Sequence, residues 1–161
     1  MTGEGPLRPT MRKILISACL LGERVRYDGG TRPLQSALLE RWLAEGRVVP
    51  FCPEVAGGLP VPRPPVERQP DGRVLDVDGV DRTRELDAGA RQALEAAKRE
   101  GVVVAVLKAN SPSCGSTRIY DGTFSGRLID GAGVTAQLFR REGIAVFDET
   151  RLAEAEALLA R

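Results

Sequence analysis

The chain has 161 residues, enough for one domain with a hydrophobic core. Its 42% hydrophobic and 28% charged residues are ordinary for a globular protein, and a net charge of +1 gives no sign of a broad nucleic-acid or membrane-binding surface. The longest apolar run, residues 102–107, is far short of the ~20 residues that span a bilayer.

Residues 1–10 hold two prolines, two glycines and no apolar pattern, and read as a disordered extension; residues 11–161 read as a single α/β domain. Met11-Arg12-Lys13 before an apolar run and Cys19 imitates a lipoprotein signal, but about five apolar residues fall short of the ~7–15 of a secretory segment. Residues 13–18 are therefore expected to form a buried strand, and the protein is expected to be cytoplasmic. A loop follows Cys19, with Arg24, Arg26 and Arg32 as a local basic cluster. Pro33 is expected to open a helix to about residue 45, with Leu34, Leu38, Leu39 and Trp42 at helical spacing and Gly46 as its stop. Residues 48–51 form a second strand, ended by Cys52-Pro53. Residues 57–72 carry prolines 60, 62, 64, 65 and 70 and read as a stiffened loop without regular elements, packed beside the site. Residues 73–77 form a short strand or hairpin arm, and 82–100 a helix that Gly101 stops. Residues 102–107 are the clearest buried strand, feeding the loop Asn110-Ser-Pro-Ser-Cys-Gly. A short hairpin over 119–124 turns at Asp121-Gly122. A helix over 133–142, a strand over 144–147 and a helix over 150–159 close the chain.

This alternation gives a three-layer, Rossmann-like α/β sandwich with a mostly parallel sheet. Ligands of such sheets bind beyond the carboxyl ends of the strands, where Cys19, Cys52 and Cys114 all fall. The chain has no other cysteine and no histidine. Three intracellular thiols placed alike suggest metal or redox chemistry rather than a disulfide framework. A closed zinc site wants four Cys or His ligands; a cluster normally has four thiolates, so three leave one iron open as a Lewis acid. Glu54 places a carboxylate beside Cys52. Asn110, Ser111 and Ser113 supply polar groups, and Lys108 a cation. The same residues can also serve as loop caps, turn residues and a surface charge.

The segments ISACLLGERVRYDGG, FCPEVAGGLPVPR, LKANSPSCGSTRIYDGTFSGRLIDGAGVTAQLF and GIAVF resemble the TudS-type thiouracil desulfurases over nearly all of residues 12–150. The resemblance implies a 4Fe–4S cluster ligated by Cys19, Cys52 and Cys114, and non-redox replacement of a thiocarbonyl sulfur by oxygen. The substrate would be a small-molecule thiolated pyrimidine. Glu54 matches the acid of the C-P-E motif and becomes the candidate general base. Ser111 and Ser113 match the S-P-S-C-G motif as proton carriers, and Lys108 is a candidate charge stabiliser. The alternative is an iron–sulfur or thiol-based redox sensor without a substrate. A nucleotide-binding module is disfavoured, because no G-x-G-x-x-G follows the first strand.

Overall fold

In the computed structural model, which describes residues 12–30 and 33–160, four short apolar runs form one parallel sheet. They are β1 (Ile14–Ser17), β2 (Val48–Phe51), β5 (Val104–Val106) and β8 (Ala145–Phe147), in the order β2-β1-β5-β8. Register pairs Ile14 with Val48 on one side and with Val104 on the other, and Val104 with Ala145. Successive side chains of a strand face opposite ways. On one face Leu15, Ala105 and Val146 pack under α3 (Thr83–Arg99) and α4 (Val134–Arg141), through Ala93, Ala97, Ala136 and Phe139. On the other, Ile14, Ile16, Val104 and Val106 meet Leu39 and Trp42 of α1 (Ala37–Ala44) and Ala155 and Leu159 of α5 (Leu152–Leu159). The expected three-layer sandwich is therefore observed. The proposed extension at 1–10, and Arg32, lie outside the described residues.

Three local expectations change. The first helix starts at Ala37 rather than Pro33. The Ser36 side chain caps it by accepting from the Leu39 amide at 3.3 Å, while the Leu34 amide donates instead to the Leu20 carbonyl at 2.8 Å. The proline-rich stretch contains a strand, β3 (Val66–Arg68), paired antiparallel with β4 (Val74–Asp76). Three proline-free residues suffice, because each can both donate to and accept from a partner. The later hairpin is wider than expected: β6 (Arg118–Tyr120) pairs with β7 (Leu128–Asp130), and residues 121–127 form the connection. Asp121 makes its turn inside that loop, where Oδ1 accepts from the Thr123 amide at 2.9 Å.

Strand order reverses between β1 and β5, which places a crevice at the carboxyl end of the sheet. The 3-10 turn Ala18–Leu21, the one-turn helix α2 (Pro53–Ala56) and the loop after β5 all emerge there.

Candidate active site

These three connections enclose a cavity of about 490 Å³, lined by Cys19, Cys52, Cys114, Glu54, Ser111 and Lys108. Cys19 sits in the 3-10 turn after β1, Cys52 between β2 and α2, and Cys114 in the loop after β5. Three adjacent strands thus deliver one thiol each. None is joined in a disulfide.

The thiols sense one another. Burial pushes the Cys19 thiol up to about 11, and Cys52 adds to the rise; Lys108 and Arg26 act against it. Burial also raises Cys52; the nearby Val55 amide pulls the other way, Glu54 adds to the rise and Arg63 opposes it. Cys114 is raised furthest, again by burial. The Ser17 hydroxyl opposes that shift, and Cys52, Glu54 and Cys19 reinforce it. Ser17 ends β1 and is buried. Its Oγ accepts from the Lys108 amide at 2.9 Å and donates to Cys114 Sγ at 3.6 Å.

Ser111 joins the thiol loop to the carboxylate. Its Oγ accepts from the Ser113 and Cys114 amides at 3.1 and 3.0 Å, so its single proton is left to donate to Glu54 Oε2 at 3.4 Å. Asn110 sets up this turn with a left-handed φ of 70°, a conformation asparagine tolerates.

The structure does not bring Ser113 to the cavity. Ser113 is fully buried, and its hydroxyl is bonded to Thr135 Oγ1 at 2.8 Å, which fastens the loop to α4. Lys108 reaches the cavity wall, but its ammonium is paired with Glu149 Oε2 at 3.1 Å and the Ala109 carbonyl at 3.0 Å. Of the basic cluster, Arg26 lines the cavity and Arg24 is exposed.

Arg63 was missed by sequence reasoning. It lies in the proline-rich stretch and forms an ion pair with Glu54 Oε1 at 3.0 Å, with a side chain only 4% exposed. The one signal available was a lone cation within the Cys52-Pro53-Glu54…Pro62-Arg63 segment that could balance Glu54. Glu67, also unforeseen, lies in the cavity wall. Its Oε1 accepts from the Gly122 and Phe124 amides at 2.9 and 3.1 Å and holds the 121–127 loop over the cavity.

Among the described residues no three His, Cys, Asp or Glu side chains converge closely enough to grip one metal ion. The three thiols line one cavity, and three soft sulfur groups in a chain without histidine suit an iron–sulfur cluster better than a closed zinc site, which takes four Cys or His ligands.

Fold and site together define an α/β protein with a three-thiol cavity at the carboxyl edge of a parallel sheet. The family model described as 2-thiouracil desulfurase matches residues 14–151, and the chain belongs to that family of enzymes. It is 51% identical to the solved structure of TudS, a 4Fe–4S-dependent thiouracil desulfidase, covering 92% of this chain and 97% of that one with a TM-score of 0.90. It is also 38% identical over 148 residues to the YbbK protein of Bacillus subtilis (strain 168), covering 86% of this chain and 97% of that protein.

Proposed function

We propose that this chain is an iron–sulfur-dependent desulfurase that converts the thiocarbonyl of 2-thiouracil to a carbonyl and releases hydrosulfide. The observation that carries this reading is that three cysteines from three separate connections line one cavity together with Glu54. Family membership and the likeness to TudS support it. Cys19, Cys52 and Cys114 would hold the 4Fe–4S cluster. When bound, the cluster supplies a Lewis acid with one iron free of protein ligands, able to polarise a C=S bond.

The chain's own residues supply the rest. Glu54 Oε2 faces Ser111 at 3.4 Å and accepts a proton from the attacking water, a role that typically contributes ~10²–10⁴-fold. The Ser111 hydroxyl lies between Glu54 and the Cys114 loop, where it orients the carboxylate and passes a proton along. The apolar walls, among them Phe51, Tyr120 and Phe124, accept the flat pyrimidine and exclude bulk water. Water adds its oxygen to the ring carbon and the carbon–sulfur bond breaks; one water proton leaves on hydrosulfide and the other passes through Glu54 to solvent, so sulfur departs at the sulfide level and no electron donor is needed. No helix among the described residues is long and apolar enough to cross a membrane.

The test is anaerobic reconstitution with iron and sulfide, followed by 2-thiouracil. The expected result is uracil and sulfide in equal amounts without added reductant. A loaded cluster with no sulfide release would overturn the reading.

A further inference from the structure

We infer that Arg63 is a positioning residue of the reaction, acting through Glu54 rather than on the substrate. The inference rests on the desulfurase reading above.

A guanidinium has five N–H donors and no acceptor. In Arg63, Nε and Nη2 both donate to Glu54 Oε1, at 3.2 and 3.0 Å. Nη2 also donates to the Val25 carbonyl at 3.1 Å, and Nη1 to the Pro60 carbonyl at 3.1 Å. Four of the five donors are therefore committed to protein. A substrate-binding arginine would keep its fork turned to the cavity, whereas this one turns it into the wall.

The four bonds join three segments. Glu54 is in α2, next to Cys52; Val25 lies in the loop after the Cys19 turn; Pro60 and Arg63 belong to the proline-rich stretch. That stretch is itself pinned, because the Arg63 amide donates to the Tyr27 carbonyl at 2.7 Å. With Oε1 held on the wall side, Oε2 is left toward Ser111 and the cavity. Arg63 thereby selects which carboxylate oxygen meets water and fixes its orientation. It also offsets the carboxylate charge beside three sulfurs. Lysine cannot reproduce this, since its ammonium is a point charge without the planar fork.

The experiment compares reconstituted wild type, Arg63→Ala, Arg63→Lys and Glu54→Gln, and Arg63→Ala combined with Glu54→Gln, each with iron and sulfide content measured before turnover of 2-thiouracil. Misplacement of a catalytic group by about 1 Å costs ~10²-fold, so Arg63→Ala is expected to lose about that factor in kcat, with KM changed by no more than about threefold. Guanidinium chloride in the tens of millimolar, far below denaturing levels, is expected to restore part of that loss in Arg63→Ala, and none in the double variant. In the Glu54→Gln background, Arg63→Ala is expected to cost less than about twofold more.

Arg63 removal leaves a mostly buried carboxylate without its cation. Where Arg63→Ala fails to fold or to take up the cluster, Arg63→Lys decides, with an expected loss of about tenfold in kcat at wild-type cluster content. Wild-type kcat in a loaded Arg63 variant, or an equal fractional loss with Glu54 present and absent, would overturn the inference while leaving the desulfurase reading intact. A loaded wild type that releases no sulfide overturns that reading, and this inference with it.

Discussion

The two oxygens of Glu54 have different partners: Oε1 faces the Arg63 guanidinium and Oε2 the Ser111 hydroxyl. Glu54→Gln keeps the volume but replaces one acceptor by an NH₂ donor, which cannot take a proton from water. The expected outcome is a loss of ~10²–10⁴-fold in kcat at unchanged iron and sulfide content. Full turnover in that variant would remove Glu54 as the base. Ser17 makes a second residue-level prediction. A serine in an otherwise apolar buried strand needs partners, and it has two, the Lys108 amide and Cys114 Sγ. Ser17→Ala leaves the amide unpaired, at a cost of about 1–3 kcal/mol, and removes a donor from a candidate ligating sulfur. Hydrogen bonds to sulfur tune cluster potentials, so the midpoint potential of the reconstituted protein is expected to fall, and Ser17→Thr to restore it. An unchanged potential in a redox titration would separate Ser17 from the cluster. That Cys19, Cys52, Cys114, Glu54, Ser111 and Lys108 meet at one cavity was legible because they lie in the segments that follow apolar runs, and strand ends converge in a parallel sheet; their roles are the proposal's. Arg63 and Ser17 were not. Their roles rest on contacts with residues 9 and 97 positions away, which no local pattern encodes. Ser113 shares a motif with Ser111, yet the turn between them sends its side chain to Thr135.

At the scale of elements, α2 lies backbone against backbone on α3. A Cβ at Gly89 would stand 1.8 Å from the Pro53 carbonyl oxygen, and one at Gly57 would stand 1.9 Å from that of Glu85. Two opposing effects meet at Gly89. Alanine favours a helix interior by about 1 kcal/mol over glycine, while overpacking costs about 1–3 kcal/mol and occasionally more. The clash is with backbone, which cannot rotate away, so it prevails. Gly89→Ala is expected to lower the unfolding midpoint and, by pushing α2 outward with Cys52 and Glu54, to lower kcat as well. Thermal unfolding alongside turnover checks both. A variant at least as stable as wild type would mean that helix propensity outweighs the close approach. The long helix and the buried strands were readable because their apolar spacing is sustained. The strands β3 and β7 were not, since three residues that mix apolar and charged side chains carry no period. Their pairing is decided by what lies opposite, Val74–Asp76 and Arg118–Tyr120.

At the scale of the whole molecule, the sheet gathers three thiols into a partly desolvated cavity, and this ties folding to pH and, through the proposed ligand set, to metal loading. Desolvation disfavours a thiolate, so the metal-free fold holds neutral thiols, whereas a coordinating sulfur has already given up its proton. Cys19 rises from an ordinary 9.0 to about 11 in the folded chain. Below pH 9 it is protonated whether folded or unfolded, and its stabilising contribution is fully present. Between pH 9 and 11 the unfolded chain releases the proton and the folded chain does not, so stability falls as pH rises. At about 1.4 kcal/mol per unit, Cys19 alone accounts for a loss on the order of 2 kcal/mol, and the raised thiols of Cys52 and Cys114 act in the same direction. Urea midpoints of the metal-free protein, measured without oxygen in reducing buffer, are expected to fall from pH 8.5 to pH 10.5. The reconstituted protein is expected to show a much smaller fall over the same range, because its ligating sulfurs have no proton left to lose. Parallel curves for the two forms would mean that these three thiols are not the groups the cluster deprotonates, and would remove the ligand assignment on which the proposed chemistry stands.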